Sequence, residues 1–488
     1  MLHQRIAVRK NRPRQLGSCI KATPLPRPAS LMEKHFMRLA IPIFLLMVSP
    51  SFAAAQETAD ARLIRLQGEV SADRIEADIE RLVSFGTRHT LSETDSPSRG
   101  IGAARRWIKS EFEKISEDCG GCLEVIYVSD FVEGEPRIPE RTEVVNVVAI
   151  QRGRLDPNRI VMMTGDIDSR VSDPLNSTSD SPGANDNASG MAGVLEAARV
   201  LSREKFAGTI VYAGLSGEEQ GLFGGKILAR YAKEKGWRIK AVLNNDMIGN
   251  IEGGDGVIDN STARVFSEGV RAVETPEEAR ARRFTGGEVD SASRNLARYI
   301  DQLADDYIPD LDVMLVYRLD RFGRGGHHRP FNEAGFPAVR IMETHENYTR
   351  QHQDLRTENG IAYGDVLEGV NFDYARKLTS LNVVTLASMA SAPPLPAQVE
   401  IEGAVTPSTT LRWRRAKGKP ARNLAGYRIH WRLTDAPQWT NSIYVGDVEA
   451  FTLKNIVIDN YFFGVSSVSK DGAESPVVFP GPAGSFGD

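Results

Sequence analysis

The chain has 488 residues, more than one ordinary core accommodates, so two or three folded units are expected. With 41% hydrophobic and 25% charged residues and a net charge of -4, the composition is that of a soluble globular protein. Basic and acidic residues are interspersed, which excludes a polybasic nucleic-acid-binding arm and an acidic tail. Residues 1–55 read as an export leader: the apolar run LAIPIFLLMV at 39–48 follows Lys34 and Arg38 and precedes small residues ending at Ala55. That run falls short of the ~20 apolar residues of a spanning helix. The mature protein is therefore expected in the periplasm or the medium, without stable membrane insertion, and translation is expected to start at Met32 or Met37.

Residues 56–390 form the expected main domain. Ile75, Ile79, Leu82 and Val83 recur at helical spacing and predict a helix over 72–84, ending before Phe85 and Gly86. A second amphipathic helix is expected over 103–115, then strands over 123–128 and 144–150. Between them, Cys119 and Cys122 could close a small disulfide or act as a redox or zinc pair. No second Cys pair exists to complete a structural zinc site, which favours the first reading. Strands are then predicted over 160–164, 209–215, 239–244, 311–317 and 337–342. Helices follow Met191, over 222–231 and over 372–389. Such alternation predicts an α/β sheet with helices on both faces. After the Pro-rich linker 391–396 the pattern changes to period two through residues 397–488. Leu411 and Trp413, then Tyr427, Ile429 and Trp431, then Tyr461, Phe463 and Val465 alternate with polar residues. This stretch resembles a fibronectin type III β-sandwich, and its aromatic stripe is expected to be core. The expected role of the sandwich is docking to a surface, a polymer or the main domain.

Acidic residues gather where predicted strands end: Asp166 and Asp168, Glu218 and Glu219, and Asp246, with Asp186 just before the Met191 helix. Ligand sites of open α/β sheets lie at that edge. Any one of these carboxylates alone reads as a solvated loop or helix cap. Converging on one edge, they would repel unless cations or protons neutralise them, so a polynuclear metal site is expected. Two ions bridged by an Asp lie about 3.5–4 Å apart. His327 and His328 in their Gly-flanked loop fit a binding role or a surface turn equally, whereas structural roles are expected for Arg88, His89 and His430. No Gly-x-Ser-x-Gly elbow accompanies Ser169 or Ser216, which speaks against a serine hydrolase.

Three segments carry a more specific signal: Gly-Ala-Asn-Asp-Asn-Ala-Ser-Gly around Asp186, Leu-Ser-Gly-Glu-Glu-Gln-Gly-Leu around Glu218 and Glu219, and Asn-Asn-Asp-Met-Ile-Gly around Asp246. In order and spacing they resemble the signature segments of the co-catalytic zinc aminopeptidases related to bacterial leucyl aminopeptidase, the clan MH metallopeptidases, over about residues 70–390. The resemblance implies the zinc exopeptidase fold with a mixed central sheet, two zinc ions and peptide substrates shortened from the N-terminus. It makes Asp186 the bridging ligand, Asp166 and Asp246 ligands of the first metal, and Glu219 a ligand of the second. Glu218 is then the general base that takes a proton from the attacking water, and Asp168 a carboxylate that orients Asp166.

The chain departs from that pattern twice. Asp166 stands where the family usually has His, so the first site would be all carboxylate, hold zinc loosely and suit Mn or Mg. Arg350 falls in the slot of the last His ligand, which a guanidinium cannot fill. His352 is the favoured replacement and His345 the next. Other exopeptidases, glutaminyl cyclases and a non-catalytic binding protein on the same scaffold remain the alternatives. The retained Glu218–Glu219 pair speaks against the last of these.

Overall fold

The computed structural model describes residues 57–487, and the expected leader over 1–55 lies outside them. The described residues open with three helices, α1 (Ala59–Gly68), α2 (Ala72–Val83) and α3 (Gly100–Asp118). Ser71 caps α2 by accepting the Arg74 amide hydrogen, and Ile75, Ile79 and Leu82 turn one stripe of that helix inward. Strands and helices then follow: β1 (Leu123–Val132), β2 (Thr142–Gln151), β3 (Asp156–Asp166), α4 (Gly190–Leu201), β4 (Gly208–Leu215), α5 (Phe223–Glu234), β5 (Arg238–Asn245) and β6 (Thr262–Ser267). Next come α6 (Pro276–Thr285), α7 (Ala292–Tyr307), β7 (Asp312–Val316), α8 (His328–Glu333), β8 (Ala338–Glu343), the short hairpin β9 (Arg356–Glu358) and β10 (Ile361–Tyr363), and α9 (Phe372–Ser391). Cys119 and Cys122, after α3, are joined in a disulfide.

The main sheet runs β1-β2-β4-β3-β5-β8-β6-β7. Strands β4, β3, β5 and β8 are mutually parallel, while β1, β2 and β6 add antiparallel pairings, so the sheet is mixed. Every residue of β4 is buried, which suits an unbroken apolar strand covered on both faces. The pleat divides the core in two. Val161, Met163, Ile210 and Tyr212 meet α4, α7 and α9, whereas Ile160, Met162, Val211 and Ala213 meet α5 and α8. Among the described residues no helix is long and apolar enough to cross a membrane.

Beyond α9 come β11 (Ala397–Glu402), β12 (Thr409–Arg414), β13 (Leu424–Leu433), β14 (Asn441–Gly446), β15 (Ala450–Leu453) and β16 (Tyr461–Ser469). They form two antiparallel three-stranded sheets, β11-β12-β15 and β14-β13-β16. Trp413 of one and Tyr427 of the other meet at 5.3 Å between ring centroids, both buried as the period-two pattern requires. These sheets share one continuous core with α4, α7 and α9. Polar clamps reinforce the contact. Buried Asp290 receives Arg298 of α7 at 3.0 Å and Arg432 of β13 at 2.8 Å, and Tyr299 donates to the Glu474 carbonyl at 2.7 Å.

Candidate metal centre and active site

The parallel strands β3, β4, β5 and β8 all end at one edge, and the site is built on the loops that leave them. Asp166 closes β3, Glu218 and Glu219 follow β4, Asp246 follows β5, and Asp186 precedes α4. Gly217, at φ +73°, lets the chain turn sharply into Glu218. That turn is held by Asp168, whose carboxylate accepts the amide hydrogens of Glu218 at 3.2 Å and Glu219 at 3.1 Å and the Thr90 hydroxyl at 3.1 Å. Asp168 thus orients the glutamate pair rather than Asp166. Asp365 plays the matching part for the other loop, accepting from the amides of Asn185 at 2.9 Å and Asp186 at 2.6 Å.

Asp186, Glu219 and His352 come together, with one donor atom from each lying within 4.8 Å of the others. His352 Nε2 is 3.0 Å from both Asp186 Oδ2 and Glu219 Oε1. Arg170 completes the arrangement from behind: its Nε meets Glu219 Oε2 and its Nη2 meets His352 Nδ1, each at 2.8 Å. Burial opposes the charged imidazole, but Glu219 and Asp186 outweigh it and lift His352 to about 9. Burial likewise opposes ionisation of Asp186 and Glu219, yet His352 holds both below the usual carboxylate range. Two carboxylates and one imidazole fit zinc, and three protein ligands are the usual number where a coordination position is kept for chemistry. His345 is not in this group; its Nδ1 lies 3.3 Å from Asp255. Arg350 also turns elsewhere, to Asn250 at 2.7 Å and Glu252 at 2.8 Å.

Asp166 and Asp246 are engaged differently. Asp166 Oδ1 is 2.5 Å from His327 Nδ1, and its Oδ2 accepts from Asn187 Nδ2 at 2.8 Å. Asp246 Oδ2 pairs with Arg340 Nη2 at 2.9 Å. Arg340 stands on β8, has no exposed surface, and also reaches Asp320 at 3.2 Å and the Gly325 carbonyl at 2.8 Å. Burial raises Asp166 to about 8 and Asp246 to about 7. It is also the main cause, with the neighbouring Glu219 charge, that pushes Glu218 well above the usual range. His327 and His328 are both buried rather than in a surface turn, and burial depresses each to about 4, so they are neutral near pH 7.

Glu218, Glu219, Asp186, Asp246 and His352 line a cleft of about 740 Å³, and its outer wall is cationic. There Arg321 and Arg324 are paired with Glu346, and Arg329 with Glu333. Arg137 donates to the Glu219 carbonyl at 2.6 Å, and Lys226 lies over the Phe223 ring; neither forms an ion pair among the described residues. Arg170 and Arg340 carry no motif signal in the sequence. Arg340 interrupts the otherwise apolar strand at 337–342, and such a charge in a buried strand is the one cue that points to it.

The profile described as peptidase family M28 matches residues 146–366. A probable zinc metalloprotease of Leptosphaeria maculans is 43% identical over 85% of this chain and 95% of its own length. Another from Pyrenophora teres f. teres is 42% identical over 87% of this chain and 88% of its own. The crystal structure of LapA from Legionella pneumophila shares the fold, with a TM-score of 0.50 and 22% identity over 68% of this chain and 76% of that one. With a relative this similar matched along nearly its whole length, and with the acidic strand ends gathered around one cleft, the chain belongs to peptidase family M28 and is a metallopeptidase.

Proposed function

We propose that the chain is an exported zinc aminopeptidase that releases N-terminal residues from peptides. The observation that carries this reading is the Asp186, Glu219 and His352 donor set beside the cleft-facing Glu218. A zinc ion held by those three residues would supply Lewis acidity for the scissile carbonyl and the attacking water. Glu218 takes the proton of the attacking water and passes it to the departing amine. Asp168 holds the backbone that carries Glu218, and Arg170, bonded to both, would fix the faces that Glu219 and His352 turn to the metal. Asp246, with one oxygen on Arg340 and its side chain at the cleft, receives the substrate α-ammonium. The C-terminal sheets brace the catalytic region through the Asp290 clamp. Export is supported by the leader-like residues 1–55.

The test is a panel of aminoacyl-arylamides assayed with and without chelator, beside Glu218→Gln. Release should stop with chelator and return with zinc. Glu218→Gln should lose about 10²–10⁴ in kcat while keeping its zinc. Chelator-resistant release, or an unimpaired Glu218→Gln, overturns the reading.

A further inference from the structure

Of the two cation positions that the motif pattern implies, the structure completes one. The donors of Asp186, Glu219 and His352 converge, whereas both oxygens of Asp166 and one oxygen of Asp246 are engaged by protein groups. We propose that Arg340 is a built-in replacement for the second metal ion, and that the protein holds a single zinc, at Asp186, Glu219 and His352. The proposal rests on the reading of that cluster as a zinc site.

Three observations carry it. Arg340 is completely buried, and its guanidinium touches Asp246 Oδ2 at 2.9 Å and Asp320 at 3.2 Å, so a permanent positive charge already compensates the Asp246 carboxylate. A divalent cation bound to the other oxygen of the same carboxylate would face that buried charge at close range, where salt screens the repulsion little. Next, Asp166 has no idle oxygen: one contacts His327 and the other Asn187, whose side-chain oxygen in turn accepts the amides of Gly190 at 3.0 Å and Met247 at 3.2 Å. Pulling Asp166 toward an ion would break a network that holds three loops. Last, the imidazole that the first position lacks in sequence is present in space as His327, but it approaches Asp166 itself and lies behind the carboxylate. Its other nitrogen is buried without a partner, and Gly225 of α5 packs against that side of the ring.

The full-length protein, stripped with chelator, reloaded and dialysed, should retain one zinc per chain by inductively coupled plasma mass spectrometry. Asp246→Asn and Asp166→Asn should each still retain one, while His352→Ala and Glu219→Gln should retain less than a tenth as much. Cobalt-reconstituted protein should give the electron paramagnetic resonance spectrum of an isolated high-spin ion. Two zinc ions per chain, falling to one in Asp246→Asn, or a spin-coupled cobalt pair, overturn the proposal and leave the zinc peptidase reading intact. No retained zinc in the unaltered protein overturns both.

Discussion

His352 is a position where a proton and a metal compete. In the metal-free protein its imidazole is held at about 9 by Glu219 and Asp186 against the cost of burial, whereas a metal ligand must be neutral. The two carboxylates are already ionised, so the proton displaced on loading comes from His352. Zinc affinity should therefore rise about tenfold per pH unit between roughly pH 6.5 and 8.5, with close to one proton released. Titration calorimetry in buffers of different ionisation enthalpy reads that proton directly, and an affinity flat with pH contradicts the assignment. The same pair has a second consequence, for stability. Because the folded value lies above the unfolded one, the ion pair stabilises the metal-free fold fully below about pH 6.5, and that contribution is lost as the pH rises through about 9. Thermal melts should thus show the gain from added zinc widening as pH is raised.

At the scale of elements, the site depends on loops that short strands aim and that buried carboxylates pin. Asp168, two residues beyond β3, holds the turn after β4 through two amide hydrogen bonds, so it shapes the position of Glu218 without touching the side-chain atoms of the metal donors. Asp168→Asn should lower kcat about 10–100-fold with zinc content retained, measured by parallel assay and metal analysis. Strand ends were readable because β3, β4 and β5 are buried apolar runs that stop at acidic turns, and the glutamates, Asp186 and Asp246 follow from those turns. The partners of these residues were not readable. Arg340 and Asp246 are 94 positions apart, and Arg170 meets His352 across 182, separations that only the folded sheet edge brings together. Helix α7 was legible, since Leu296, Ile300, Leu303 and Ala304 recur at helical spacing; what its sequence does not announce is that Arg294, Asn295 and Arg298 are buried as well.

For the whole molecule, the contact between the C-terminal sheets and α7 is an extension of the core. Asp290 neutralises two buried guanidinium groups, one from each side of that contact. Asp290→Ala should cost about 3–5 kcal/mol, because it leaves both Arg298 and Arg432 buried without their countercharge. The denaturation midpoint should fall accordingly, and a midpoint within error of the parent's contradicts a bracing role. Removing residues 397–488 exposes the shared apolar core and should yield aggregated protein rather than a smaller active enzyme.

The cationic wall of the cleft also governs how substrates arrive. Residues 1–55 hold nine Lys and Arg and one Glu, so without them the net charge of -4 becomes -12; a peptide with acidic residues is repelled at long range, yet it meets Arg137 and Lys226 as it nears the opening. At ionic strengths near 0.15 M the screening length is about 8 Å, short enough to mask the distant negative surface while leaving the local attraction partly intact. Encounter with acidic peptides should then be fastest at intermediate salt. Their kcat/KM should pass through a maximum as sodium chloride is raised, while that of neutral peptides stays nearly level.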